Sequence, residues 1–413
     1  MKGRVIVIGG GAAGLMAAGC AARRGLDVII YDKNARPGRK LMITGKGRCN
    51  LTNNCDRQTL IANIVHGGKF LYSAFSAFDT SDTMAFFKRL GVPLKTERGR
   101  RVFPQSDKAM DIVDALKRFA DKSGATYKKG EISDIIIEDG TVKGVITPAG
   151  EKIYSDAVIV CTGGLSYPGT GSTGDGYKFA RAAGHSVTEL TPSLVPLVAI
   201  EGWCRKLQGL TLKNVAVKLI KRGAKKAIFT DFGEMLFTHY GISGPLVLSA
   251  SAHIDDMKSG IYEFHIDLKP ALDNKKLYDR INRDLIKYSA KNIENALTDL
   301  MPHRMIPVVI GLAGIPAEIN ASEMTREYRM ALTNTLKDMT ITVKDYLGYD
   351  EAVITRGGVN LKEIAPKTMQ SRKVRGLAFA GEVLDTDAYT GGYNLQIAFS
   401  TGYTAGENIL SDE

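Results

Sequence analysis

The chain has 413 residues, 44% of them hydrophobic and 24% charged, an ordinary globular balance with length enough for about two to three domains. Five cysteines (Cys20, Cys49, Cys55, Cys161, Cys204) form no CxxC and no short pair, which argues against a disulfide framework or a zinc site and points to a reducing cytoplasm. The net charge of +11 comes from scattered residues without an aromatic-interleaved stripe, so it reads as a solvated basic surface attractive to anionic cofactors and substrates.

Met1-Lys2-Gly3 leads straight into an apolar strand over residues 5–8, leaving no room for a signal peptide, and no apolar run approaches the ~20 residues of a membrane span. The strand runs into Gly9-x-Gly11-x-x-Gly14, then a small-residue helix ended by Arg23-Arg24-Gly25, then a second strand, V-I-I-Y-D, closing on Asp32. Strand, glycine turn, helix and acid in register are the dinucleotide fingerprint. Gly9 permits the tight turn, and Gly11 lets a pyrophosphate approach the helix N-terminus, where Ala12 and Ala13 follow. Gly14 allows close packing, and Asp32 accepts hydrogen bonds from a ribose diol, with Lys33 beside it.

Residues 38–53 are glycine-rich and basic. Arg39, Lys40, Lys46 and Arg48 are candidates for neutralising the pyrophosphate, and Thr44, Gly45, Gly47 and Asn50 for lining the rest of the cofactor. Residues 109–123 have helical periodicity, and 131–147 read as a hairpin turning at Asp139-Gly140. The strand at 158–160 breaks into Cys161-Thr162-Gly163-Gly164, as expected where backbone approaches a ligand. A second GxGxxG, Gly169 to Gly174, follows Ser166-Tyr167-Pro168 instead of a strand, so it reads as a loop before a helix over 175–183.

From residue 191 the pattern becomes β-rich (194–200, 212–220, 227–232, 261–268), then helical over about 272–338, and strand-like with glycines again near 351–359. The economical organisation is a domain at 191–350, β-rich over 191–270 and helical over 271–340, inserted into an α/β domain made from 1–190 and 351–413. At the C-terminal end a strand stops at Gly381-Glu382, and Gly391-Gly392 opens Tyr393-Asn394-Leu395-Gln396 and a small-residue helix over 397–409. A plain nicotinamide dehydrogenase has no need of this second glycine turn. A two-ended cofactor, FAD, does, so Gly381, Glu382, Gly392, Asn394 and Leu395 join the candidate binding set.

Four segments then carry a family resemblance: P-G-R-K-L-M-I-T-G-K-G-R-C-N-L-T-N (37–53), C-T-G-G-L-S-Y-P-G-T-G-S-T-G-D-G-Y (161–177), G-E-M-L-F-T-H-Y-G-I-S-G-P (233–245) and G-E-V-L-D-T-D-A-Y-T-G-G-Y-N-L-Q (381–396). The chain resembles the YhiN/BaiN-like family of NAD(P)/FAD-dependent oxidoreductases, within the glutathione-reductase/fumarate-reductase-like superfamily. That resemblance implies a Rossmann-like FAD domain built from both chain ends with an inserted β-barrel and helical cap. It also implies that the backbone of Ile132 reads the adenine edge, and that Glu382 stands where relatives often have aspartate, either on FAD or bracing the loop.

The activities implied are NAD(P)H-dependent reduction of a conjugated C=C in a 3-oxo bile-acid-like enone, or an oxygen-using amine oxidase of the aminoacetone oxidase type. An RNA-associated flavoprotein is a third reading, with nucleic acid the less expected partner and a small molecule the expected one. NAD(P)H, lacking a fold of its own here, is expected at a domain interface. The chemistry needs a proton donor, for which His239, Tyr240, Tyr389 and Tyr393 are candidates. His66, His185, His253, His265 and His303 lie in no recognisable constellation and read as structural or surface. Cys49, with no partner cysteine nearby, reads as a packing residue.

Overall fold

A computed structural model describes residues 3–411. Two compact units emerge, one of Met1–Ser193 with Gly348–Glu413, the other of Leu194–Leu347.

The first unit is organised by a five-stranded parallel sheet. Strands β1 (Arg4–Ile8) and β2 (Asp27–Asp32) flank helix α1 (Ala12–Arg23) in the chain. Helix α2 (Ala109–Ser123) leads to β3 (Thr126–Lys129), followed by β4 (Ala157–Val160), and the C-terminal part supplies β5 (Leu377–Phe379) and helix α3 (Tyr393–Asn408). The spatial order is β5-β4-β1-β2-β3, with every neighbouring pair parallel. Strands buried on both faces are near-continuously apolar, which is why β1 and β4 read V-I-V-I and A-V-I-V. The register sets Ile8 against Val160 and Tyr31, and Val160 against Phe379. The residues that follow, Gly9, Cys161 and Asp32 among them, therefore share one sheet edge. The strand order reverses between β1 and β4, the switch point where such sheets bind ligands.

Small residues in α1 have a packing cause. A methyl group on Gly402 of α3 would stand 2.4 Å from the Ala13 carbonyl oxygen, and one on Gly406 2.3 Å from that of Ala17. Toward α2, a methyl on Gly19 would stand 2.2 Å from Phe119. The first and last helices thus meet backbone to backbone. The hairpin at 134–146 turns through Asp139 (φ 49°) and Gly140 (φ 69°), the left-handed pair that a two-residue turn requires.

The second unit holds a closed antiparallel barrel, in spatial order Leu197–Ala199, Gly241–Ser243, Phe229–Phe237, Thr211–Lys221, Tyr262–Asp267 and Met339–Tyr346, the last pairing with the first. Val217, Leu219, Phe237, Phe264, Ile266 and Ile341 fill its core together with Leu277, Ile281, Val309 and Leu332 from the helices Asn274–Lys287, Ile306–Leu312 and Arg326–Lys337. Two of its strands depart from the sequence expectation. Gly241–Ser243 is three residues long, and Met339–Tyr346 directly succeeds a helix, although Met339, Ile341 and Val343 alternate inward as a strand should. Among the described residues no helix is long and apolar enough to cross a membrane.

Replacing Gly402 by valine forces a side chain into the Ala13 carbonyl and is expected to cost at least about 2 kcal/mol of unfolding free energy. Gly202, with nothing within 4 Å of a built methyl, should accept alanine within about 0.5 kcal/mol. Denaturant unfolding of the two variants checks this; equal midpoints would contradict the packing argument.

Candidate cofactor and active site

The first glycine turn divides its work among three residues. Gly9 sits at φ +102° and donates to the Tyr31 carbonyl at 2.8 Å, and a methyl on it would strike the Cys161 carbonyl. A methyl on Gly14 would stand 1.8 Å from the Gly9 carbonyl oxygen. Gly11 differs: nothing in the protein lies within 4 Å of a built methyl, so space opens beside the first amides of α1. Asp32 faces this turn. Its Oδ2 accepts from the Gly10 amide at 2.7 Å and its Oδ1 from the Asn34 amide at 2.7 Å. The Gly130 amide donates to the Asp32 carbonyl at 2.8 Å, two residues before the buried Ile132.

The basic residues near this turn are mostly paired. Lys33 reaches Asp175 at 2.5 Å and Thr173 at 2.7 Å, and Arg39 donates to the Asn34 side chain at 3.0 Å. Arg48 lies over the Phe103 ring and pairs with Glu97 and with Asp107 at 2.7 Å. Expected to face a phosphate, Arg48 is paired with two carboxylates 49 and 59 residues away in the chain. Lys40 extends from a short helix, Arg39–Ile43, and meets Glu382 at 2.5 Å and Ser166 at 2.6 Å. The Glu382 carboxylate also accepts from Ser166 Oγ at 2.5 Å and from the Thr355 amide at 3.0 Å. It therefore braces three segments.

The loop that follows is held in left-handed conformations at Gly45, Lys46, Gly47 and Cys49, beyond the hydroxyl of Thr44, which donates to Leu41. Cys49 is buried, which pushes its thiol up to about 12; all five cysteines are buried and free. At the second glycine turn, Gly391 (φ 126°) lies beside the Tyr393 ring, and Gly392 (φ 99°) lies against the backbone of Thr52, where a methyl would stand 2.4 Å from the Thr52 carbonyl. Asn394 accepts from the Ala388 amide at 2.9 Å and donates to its carbonyl at 2.8 Å, and Leu395 packs half-buried on the core. Gly381 (φ +80°) donates to Thr401 Oγ1 at 2.9 Å, and Thr162 with Gly163 (φ +74°) follows β4 on the same sheet edge.

This edge fits a long, polyfunctional cofactor such as FAD. Besides the space at Gly11, three buried acceptors, Asn50 Oδ1, Asn53 Oδ1 and Thr386 Oγ1, have no hydrogen-bond partner among the described residues. Buried polar atoms are nearly always paired, at a cost of about 1–3 kcal/mol each when they are not. Asn53 also donates to the Gly391 carbonyl at 3.1 Å, which ties it to the second glycine turn.

The catalytic candidates are dispersed. His239 is exposed and Tyr240 stands edge-on to it at 4.9 Å, both between barrel strands of the second unit. Tyr389, in the first unit, donates its amide to Asn63 and packs against Leu60, Leu71 and Phe75. Burial pushes the Tyr393 phenol up to about 12. A constellation that the spacing of residues does not reveal forms at His66. Its Nδ1 lies 2.5 Å from Asp387 Oδ1, and the fully buried Asp387 accepts from Ser193 Oγ at 2.9 Å. His66 and Asp387 are opposite each other in a two-stranded ladder, so only the register joins them. His185 is buried between Glu363 and Ser371, and His265 pairs with Asp338.

Residues 3–408 match the family described as HI0933-like protein Rossmann domain. The chain is 33% identical to a 3-dehydro-bile acid delta(4,6)-reductase of Clostridium scindens, covering 98% of each chain. It is 30% identical to a ribosomal RNA dihydrouridine synthase of Escherichia coli, again over 98% of each. Among solved structures, a 3-ketosteroid delta1-dehydrogenase from Sterolibacterium denitrificans shares the fold, with a TM-score of 0.52, 12% identity and 99% of both chains covered. Similarity of this extent, from the first strand through the last helix, makes the chain a member of the HI0933-like family of FAD-dependent oxidoreductases.

Proposed function

We propose that the protein reduces a carbon–carbon double bond conjugated with a carbonyl, with FAD along the carboxyl edge of the parallel sheet and NAD(P)H as hydride source. The observation that carries this reading is the full-length similarity to two proteins whose names describe one bond change. A Δ4,6-reductase and a dihydrouridine synthase each saturate an alkene activated by a neighbouring carbonyl. The substrate favoured is a 3-oxo-4-ene acid of the bile-acid kind, matching the 33% relative. The two ribosomal RNA dihydrouridine synthases at 30% and 31% identity, with the net charge of +11, favour a uridine in RNA as the second reading.

In this reading Gly11, Ala12 and Ala13 present the amides of α1 to the diphosphate, and the helix dipole favours its negative charge. Asp32, already oriented by Gly10 and Asn34, turns toward the ribose, and the backbone of Ile132 toward the adenine. Thr44, Gly45, Gly47 and Asn50 line the flavin end with Thr162, Gly163, Gly381, Gly392, Asn394 and Leu395. When bound, FAD supplies a two-electron carrier between nicotinamide and alkene. The protein's part is position: the Lys40–Glu382–Ser166 brace fixes the segments that bear these groups.

The glycine geometry makes the binding claim separable from folding. Gly11→Val should leave the melting temperature of the apoprotein within about 3 °C of wild type, its methyls entering open space, while weakening FAD binding at least tenfold, about 1.4 kcal/mol. Gly14→Val should instead destabilise the fold itself. Equal FAD affinity for Gly11→Val and wild type would contradict the placement.

The reaction is tested by mixing oxidised holoenzyme anaerobically with NADH or NADPH and then adding substrate. Bleaching of the flavin, followed by recovery of its colour with a 3-oxo-4-ene bile acid, is the expected result; recovery only with uridine-containing ribosomal RNA selects the second reading. Bleaching by an amine with none by either nicotinamide would contradict both.

A further inference from the structure

A cavity of about 470 Å³ opens in the first unit, its wall including Val65, His66, Thr188, Glu189, Arg356 and Asp385. That volume suits a small-molecule site, and four of these six side chains are titratable or charged. The two segments that build one side of the wall also belong to the flavin-end brace. Thr355, next to Arg356, donates its amide to Glu382, and Asp385 lies three residues beyond Glu382. Gly67 (φ +77°) is clamped on the same segment, with 2.9 Å from a built methyl to the Asp385 carbonyl.

We propose that this cavity receives the carbonyl end of the substrate and that His66, oriented by Asp387, is the catalytic acid that completes the reduction; this rests on the reaction proposed above. Asp387 takes Nδ1, leaving Nε2 as the ring nitrogen that serves the cavity, the division of labour by which a buried carboxylate orients a working histidine. Ser193 holds the other Asp387 oxygen, so the carboxylate cannot swing away without losing two partners. The charged groups around the ring are Asp387 from its ladder partner, Asp385 from the same segment, and Glu189 and Arg356 in the same cavity wall. Burial holds the Asp385 carboxyl above the usual carboxylate range, while His66 and Arg356 oppose that shift.

Hydride, two electrons and a proton originating in NAD(P)H, adds to the carbon β to the carbonyl. The π pair moves onto the α carbon and carbonyl oxygen. The α carbon takes the proton of the imidazolium Nε2, leaving neutral imidazole that solvent reprotonates. The substrate gains two hydrogens and the nicotinamide is oxidised.

The test uses His66→Asn, whose amide nitrogen keeps a donor toward Asp387 while removing the ionisable Nε2, with His66→Gln carried alongside should either variant fold poorly. Holoenzymes are reduced anaerobically with dithionite, which bypasses the nicotinamide step, and mixed with a 3-oxo-4-ene bile acid or a uridine-containing ribosomal RNA fragment. Expected is reoxidation slowed at least about 100-fold in the variants, with FAD content, melting temperature and reoxidation by dioxygen unchanged. A merely structural His66–Asp387 pair would move FAD content or melting temperature instead, and overturn the proposal. Variants as fast as wild type overturn the role of His66 and leave the proposed reaction standing, whereas a wild type that neither probe reoxidises overturns both.

Discussion

The first and last helices of the chain approach until backbone touches backbone, and the site is built around that contact. Gly402 and Gly406 admit the carbonyls of Ala13 and Ala17, and Gly14 admits that of Gly9. These contacts seat the N-terminus of α1 at the edge of the sheet and bring Gly381, whose amide is held by Thr401 of α3, to the same place. Dispersion across such close-packed surfaces is individually small and collectively large, and a single added methyl disrupts it. A cofactor site assembled from residues 9–53 and 381–395 can exist only because the two ends of the chain are joined there.

What was legible in the sequence followed from local rules. The glycine spacing of the first turn has one stereochemical solution, so strand, turn, helix and acid could be read in order, and the helix at Ala109–Ser123 and the turn at Asp139-Gly140 came from periodicity and turn chemistry. The β-rich character of the second unit was visible as repeated short apolar runs, whereas its closure into a barrel was only what the family resemblance implied. Its strand Met339–Tyr346 was not visible, because the amphipathic helix Arg326–Lys337 runs into it with a single residue between. Gly241–Ser243 is too short to carry a period at all.

The site was less legible because charge partners are set by tertiary structure. Arg48 looked like a phosphate ligand, yet Glu97 and Asp107 pair with it from remote positions, and Lys33, placed beside Asp32 in the candidate set, pairs with Asp175. His66 looked solitary, and it meets Asp387 only through a ladder register between segments 321 residues apart. Glu382 carries the opposite lesson. Its longer side chain relative to aspartate reaches Lys40, Ser166 and Thr355 together, which explains its place in the brace.

The chemistry inferred here needs a carrier placed beside a polar cavity, and the placement of the carrier comes first. Calorimetric titration of FAD into the apoprotein measures it most directly. The expected result is one FAD per chain with favourable enthalpy, as the partnerless acceptors of Asn50, Asn53 and Thr386 gain donors, and a smaller favourable enthalpy in Asn50→Leu. Absence of saturable binding, or an unchanged enthalpy in Asn50→Leu, would contradict it.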